Sequence, residues 1–259
     1  MPRSREPILI AGAGRVAQAL GRLLAEHGEH IAAVAGRDPV RTAAAAAFIG
    51  HGAIPTSLDA PPEHVTRLLV AVSDDAIGEV AATLAEAGFR RGEALHTCGA
   101  VGREALAPLA AAGVACGAIH PLQTVAGPEQ GLSALARCVY AVDGDPPALA
   151  WAEQIARILG GSALRIAPEA RPLYHAAAVM AANYLVTLLD AAAILMEAAG
   201  VERGTALRAL SPLVESSAAN ALRLGPAEAL TGPIQRGDLP TIAGHLRALA
   251  SAPPTVRDL

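Results

Sequence analysis

The chain contains no lysine; all 20 of its basic residues are arginine. That excludes a Schiff-base lysine, a P-loop lysine and a lysine general acid. Aromatic residues make up only 2% of the 259 residues, too few for the stacking platforms that hold single-stranded nucleic acid. The 20 basic residues face 24 acidic ones, a net charge of −4, so the basic footprint of a nucleic-acid binder is missing. Cysteine is scarce: Cys98, Cys116 and Cys138 form no CxxC pair. An odd count without that spacing argues against a disulfide framework or a zinc site, and a reducing cytoplasm is the natural setting. No secretory signal is expected, because Met1 to Pro7 is charged and the apolar residues after it run straight into glycines. The one stretch with membrane-span character, about Ala176 to Ala199, is interrupted by Asn183, Asp190 and Glu197. Each would be costly in lipid, so a buried helix of a soluble protein is expected.

What the chain has in abundance is apolar residues, 53% against 17% charged. That composition excludes disorder, and the length suffices for a substantial core. Apolar runs at Ile8–Ala11, Ile31–Ala35, Leu68–Val72, Ala94–Thr97 and Val114–Ile119 read as strands. Helical segments lie between them: Arg15 to about His27, Pro39–Ile49, a stretch capped by Asp75 and ending near Ala87, and Val101–Ala112. Strands alternating with helices mean βαβ units and a parallel sheet. Val139–Val142 and Ala163–Ile166 flank one more helix and extend the sheet. After Pro168 only helices are expected: about Pro172 to Ala199 with Gly200 as its stop, then Glu202–Ala209, Pro212–Leu224 and Leu239–Ala250. The fold class is therefore α/β, a Rossmann-type parallel-sheet domain over residues 1–167 followed by an all-helical domain over 168–259.

Gly12-Ala13-Gly14-Arg15-Val16-Ala17 fits G-x-G-x-x-A at a strand-to-helix turn. The first glycine permits the turn and the second lets backbone approach a pyrophosphate. The small third residue allows close packing, and the helix N-terminus faces the anion. Arg37 follows the second strand, where a guanidinium can grip a 2′-phosphate, so NADP is favoured over NAD. Asp38 beside it either accepts from a ribose hydroxyl or caps the helix opened by Pro39. Ser73 and Asp74, after the third expected strand, complete the cofactor candidates.

His120 directly follows the strand ending at Ile119, where a doubly wound sheet opens its ligand crevice. It is the candidate general acid/base near neutral pH, with Gln123 placed to bond a substrate oxygen. His175 opens the long helix, and Asn183, Thr187 and Asp190 share a polar stripe farther along it. That stripe is either a satisfied packing network or a cleft wall. Thr231 and Arg236 belong to the densest polar motif of the helical half, Ala229–Asp238, where Arg236 could hold a carboxylate and Asp238 could cap a helix. Cys98 reads as a wall residue rather than a nucleophile.

These motifs carry a resemblance across the whole chain. Gly12-x-Gly14-x-x-Ala17, Ser73-Asp74-Asp75-Ala76-Ile77, His96-Thr97-Cys98-Gly99, His120-Pro121-Leu122-Gln123-Thr124, Tyr174-His175-Ala176 with Asn183-Tyr184, and Ala229–Asp238 resemble a bacterial family. Its members join a Rossmann-like domain to an uncharacterised helical domain. The resemblance implies a fold of the 6-phosphogluconate dehydrogenase-like superfamily, with ketopantoate, pyrroline-5-carboxylate and deazaflavin-linked NADP reductases and prephenate dehydrogenase as relatives. Ketopantoate reductases use a lysine four residues before a helical asparagine; the residue four before Asn183 is Val179, so that acid is absent. His120-Pro121 is similar to the His-Pro of prephenate dehydrogenases. The expected function is an NADP-dependent oxidoreductase acting on a small carbonyl or imine, with His120, His175 and Asn183 catalytic and Gln123, Thr231 and Arg236 binding substrate. The alternatives are an NADP(H)-binding sensor without turnover and a deazaflavin-linked reductase. The apolar long helix suggests a homodimer. No metal, nucleic acid or membrane is expected as a partner.

Overall fold

The computed structural model describes residues 6–257; Met1–Arg5, part of the N-terminal segment weighed above, lie outside them. The chain divides into two compact units, Met1–Ala178 and Val179–Leu259.

The first unit is built on an eight-stranded sheet. Its strands are β1 (Ile8–Ala11), β2 (Ile31–Ala35), β3 (Ile54–Thr56), β4 (Arg67–Val70), β5 (Glu93–His96), β6 (Ala115–Pro121), β7 (Val139–Gly144) and β8 (Ser162–Arg165). They lie in the order β3-β2-β1-β4-β5-β6-β7-β8. The strand order reverses at β1 and β4, so a crevice opens beyond their carboxyl ends. Both faces of β1 are covered, as its unbroken apolar run requires of a central parallel strand. Side chains alternate: Ile8 and Ile10 enter one core layer with Leu20, Ile49 and Trp151, while Leu9 and Ala11 enter the other with Ile77, Val80 and Leu109. The first layer is closed by helices α1 (Arg15–Glu26), α2 (Pro39–Ile49), α5 (Pro128–Leu135) and α6 (Pro146–Ile158), the second by α3 (Ile77–Glu86) and α4 (Ala107–Ala111). Full burial of a leucine such as Leu20 stabilises by roughly 1.5–3 kcal/mol.

Several expectations are corrected here. The sheet is not wholly parallel: β7 runs antiparallel to β6, with Pro121 opposite Tyr140. The segment between them returns at the same end of the sheet, because α5 packs on α1 and does not cross a sheet face; a Cβ on Gly131 would stand 2.7 Å from Ala19 Cβ. That pairing carries β6 through His120 to Pro121. A short strand unforeseen in the sequence, β3, occupies the edge, where Pro55 is tolerated. Asp75 caps no α-helix; it lies inside a 3-10 turn, Asp74–Ala76, ahead of α3.

Helix α7 (Arg171–Val179) falls almost wholly in the first compact unit, which runs on to Ala178, past the expected division at 167/168. The reason is Arg171, which is completely buried and bonds groups of the sheet.

The second unit is helical: a π segment (Met180–Tyr184), α8 (Leu185–Ala198), α9 (Arg203–Leu224), α10 (Pro226–Ala229), α11 (Leu239–Leu249) and α12 (Pro254–Arg257). Gly200 (φ 89°) terminates α8 as expected. Two expected helices are one, since α9 runs through Pro212; a proline removes one ladder bond and bends a helix without always ending it. Glu202 caps α9, accepting from the Gly204 and Thr205 amides at 2.7 and 2.8 Å. Asp238 caps α11, as one reading of its motif had it.

The long apolar helix is not buried. The continuous stretch Pro168–Ala198 is long and apolar enough to cross a membrane by length and composition, yet only 6% of its most apolar window is buried. Ala193 is the sole buried residue of α8.

Candidate active site

The site grows from the turn between β1 and α1. Gly12 has φ +128°, and a Cβ there would stand 2.2 Å from the Ala71 carbonyl oxygen at the end of β4. Only glycine permits that approach. Gly14 faces open space and caps α1 without a side-chain bond, so the first amides of the helix are left for a ligand. Ala17 is fully buried, and one turn on, Gly21 lets α1 close onto Ile10 and Ile49. Gly21 was not singled out in the sequence, although its spacing from the motif is a helical one.

A cavity of about 900 Å³ opens beside this turn. Gly12, Gly14, Arg15, Val16, Arg37, Ser73 and Asp74 all line it, so seven cofactor candidates come together; Ala17 lies beneath, in the core. Arg41, unremarked in the sequence, joins Arg15 and Arg37 on the wall. Its signal was present, four residues after Arg37 and one helical turn into α2. The two readings of Asp38 are resolved: its carboxylate accepts from the Val40 and Arg41 amides at 2.9 and 3.1 Å. It is the N-cap of α2. These features fit a dinucleotide: free amides and an open glycine for the pyrophosphate, and guanidinium groups at the end of β2 for a 2′-phosphate.

Farther along the sheet edge stands His120. It sits in β6 opposite Ala141 of β7. Its Nδ1 lies 2.8 Å from the Tyr174 hydroxyl. The Tyr174 and His175 rings meet it edge-on, with centroids at 5.7 and 5.9 Å. A Cβ on Gly99 would come within 2.7 Å of His175 Cδ2 and 2.9 Å of His120 Nε2, so the two imidazoles converge over a glycine. Burial, then the charges of His175 and Arg171, push the His120 acid midpoint from 6.5 down to about 4. The imidazole is therefore neutral at neutral pH, its midpoint lying below the range an ordinary histidine would give. Burial likewise pushes the Tyr174 phenol up, so it keeps its proton. Asp74 faces His120 and Cys98, linking the cavity wall to this cluster. The Cys98 thiol is pushed up by burial and by Asp74, which fits a wall residue.

The loop carrying Gly99 is fixed from below. His96 is fully buried; its Nδ1 accepts from the Cys98 amide at 3.2 Å, so its proton is on Nε2 and is donated to the Gly102 carbonyl at 2.8 Å. Arg171 donates to the Cys98 carbonyl at 3.2 Å and pairs with the Asp143 carboxylate.

Of the catalytic candidates, His120 and His175 come together. Tyr174, quoted in a motif but given no role, joins them. Asn183 lies exposed in the π segment of the second unit, a helical irregularity that recurs at functional sites. Its carbonyl accepts from the Thr187 hydroxyl, and Asp190 pairs with Arg203, so the polar stripe makes local bonds. Gln123 is exposed and spends its amide oxygen on the Thr124 amide at 2.9 Å. Thr231 and Arg236 lie exposed on the turn before α11. Among the described residues no cluster could hold a metal ion.

The first unit is a Rossmann-type α/β fold whose turn, cavity and sheet order are those of a dinucleotide site. Residues 1–121 match the family model of a Rossmann-like domain, and residues 138–259 match a domain of unknown function, DUF2520. The chain is thus a Rossmann-like domain followed by a DUF2520 domain. No curated protein matches it in sequence. Among solved structures, it is similar to a proposed NADP oxidoreductase from Bacteroides fragilis, with 24% identity, TM-score 0.81, and 98% of this chain and 94% of that one covered. A reductive aminase from Aspergillus terreus, solved with NADPH and ethyl-5-oxohexanoate, is 19% identical with TM-score 0.65 over 85% and 76% of the two chains. A pyrroline-5-carboxylate reductase from Coxiella burnetii is 17% identical with TM-score 0.61 over 93% and 92%. At these identities the shared property is the fold.

Proposed function

We propose that the protein is an NADPH-dependent oxidoreductase that reduces a C=O or C=N bond of a small molecule. The observation that carries this reading is His120, held uncharged against Tyr174 on the sheet that also bears the glycine turn. The NADP- and NADPH-linked names of proteins sharing the fold support it. Arg15, Arg37 and Arg41 favour the phosphorylated cofactor over NADH. NADPH, when bound, supplies the hydride.

The chain supplies hydrogen bonding. With its proton on Nε2, His120 accepts at Nδ1 from Tyr174 and donates to a carbonyl oxygen, as a neutral imidazole can. With its proton on Nδ1, it donates to Tyr174, and Nε2 accepts from the N–H of a protonated imine. The second arrangement needs no proton from the protein in the reducing step, because the substrate arrives carrying it. A histidine that is neutral at pH 7 therefore suits an imine better than a carbonyl, and imines are the substrate class we favour. NADPH consumption with a panel of cyclic imines and 2-oxo acids tests this. Turnover on imines, lost at least a hundredfold in kcat in His120→Ala, is expected; unaltered turnover in that variant would remove His120 from the mechanism.

The exposed apolar helix we read as the face of a homodimer and not as a membrane span. Asp190 and Glu197 project from it to pair with Arg203, an exposed ion pair that lipid would penalise. Leu188, Val186 and Met180 are 59%, 67% and 61% exposed, an apolar surface of the kind that marks association. Light scattering showing a monomer mass at every concentration would contradict the dimer.

A further inference from the structure

Among the described residues the largest fully buried side chain is a charged one, Arg171. It opens α7, three and four residues before Tyr174 and His175, so the three share one helical face. Its guanidinium makes three connections. Nε donates to the Asp143 carboxylate of β7. One terminal nitrogen donates to the Cys98 carbonyl at 3.2 Å, the residue preceding the glycine under the two imidazoles. The other reaches the Ala141 carbonyl at 3.5 Å, and Ala141 is the residue paired with His120 across the β6–β7 ladder. Asp143 is itself tied down, accepting from the Arg103 amide at 3.3 Å. One planar fork thus joins the helix bearing Tyr174 and His175, the loop bearing Gly99, and the strand beside His120. A lysine has three N–H donors, but on a single nitrogen, and cannot span three acceptors that are met here by three separate nitrogens of the fork.

We propose that Arg171, paired with Asp143, is a positioning residue that sets His120 against Tyr174 and Gly99 and so maintains the reactive centre. The inference rests on the reading of His120 as the group that bonds the substrate, and it concerns a residue that touches neither substrate nor cofactor. A purely structural pair would be expected to serve fold stability alone; replacement of a buried ion pair by apolar residues of similar volume commonly leaves stability intact or raises it. That property separates the two roles.

The test uses the full chain in two variants, Arg171→Lys and the double variant Arg171→Met/Asp143→Leu, with NADPH affinity as the check that the glycine turn is intact. The readout is the acid midpoint of the His120 imidazole by NMR. In the wild type it is expected near 4, with His175, Arg171, Asp74, His96 and Tyr174 facing it. In a folded double variant, loss of the Arg171 charge by itself raises the midpoint, so the deciding variant is Arg171→Lys, which keeps the charge: release of the ring from Tyr174 and Gly99 is expected to raise its midpoint toward the ordinary 6.5. In the double variant the kcat on an imine should fall at least tenfold while the NADPH dissociation constant changes less than twofold. In Arg171→Lys the kcat is expected to fall in the same direction by less. An Arg171→Lys variant that folds and keeps the midpoint near 4 overturns the proposal, whatever its turnover. If the wild type turns over no imine or 2-oxo acid, the midpoint of the charge-keeping Arg171→Lys variant alone decides whether Arg171 positions His120. The oxidoreductase reading would then fall without it.

Discussion

The two units use charge and apolar surface in opposite ways. The sheet unit buries His96, Asp143 and Arg171 and satisfies each of them with a partner. The helical unit has no buried charged group among its described residues and exposes Leu222, Ile234 and Leu239 at 90%, 72% and 71%. Burying charge is costly unless every bond is made, so a protein that does it repeatedly around one histidine is holding geometry there. Exposing apolar side chains is costly in water, so a unit that does it throughout is built to be covered. The contrast separates a region whose chemistry can be read from its own interior from one whose role lies on its surface.

The largest effect should come at the glycine turn. A Cβ at Gly12 meets a backbone carbonyl that cannot move, so Gly12→Ala is expected to weaken NADPH binding at least a hundredfold, roughly 2.7 kcal/mol, in a fluorescence titration. The helical unit should keep its helicity by circular dichroism. Next, Leu188→Glu in α8 should raise the dimer dissociation constant by about tenfold or more, roughly 1.4 kcal/mol, in sedimentation, and leave NADPH binding unchanged. An unchanged mass distribution would break the comparison from the other side. Gly99→Ala drives a methyl between His120 and His175; kcat should fall tenfold or more with little change in NADPH affinity.

The smallest effect is a pH dependence confined to the sheet unit. His96 and His120 are both held below 6.5, burial being the largest cause in each. The unfolded chain therefore binds more protons than the folded one below pH 6.5. The stability these groups allow is fully present above 6.5 and is lost as pH falls, for His120 down to about 4. Fluorescence of Trp151, which packs in the sheet core, should report an unfolding midpoint that declines across that window; a flat profile would show that neither histidine is held neutral.

How much of this was legible in the sequence depends on distance along the chain. The glycine turn is contiguous, and its backbone demands are written in six consecutive residues. Strands β1 and β2 and helix α2 match their expected bounds because local patterning alone specifies them. Asp38 presented two roles, and the structure selects the cap because the amides it bonds lie two and three residues away. Tyr174 and His120 are 54 positions apart, and Arg171 and Asp143 are 28 apart. Nothing local in an arginine before a proline says that it will be buried against a carboxylate. The neutral state of His120 is likewise a product of burial and surrounding charge, which no motif records. The exposure of the long helix escaped for the same reason: its apolar character was plain, but whether other parts of the chain pack on it is not written in its own sequence.

The most direct measurement is a titration of the purified protein with NADPH and with NADH, followed by cofactor fluorescence. Binding of NADPH at least tenfold tighter than NADH, a preference of about 1.4 kcal/mol or more, is expected, with the preference lost in Arg37→Ala. Binding of neither nucleotide would contradict the central claim that the first unit is an NADPH-dependent active site.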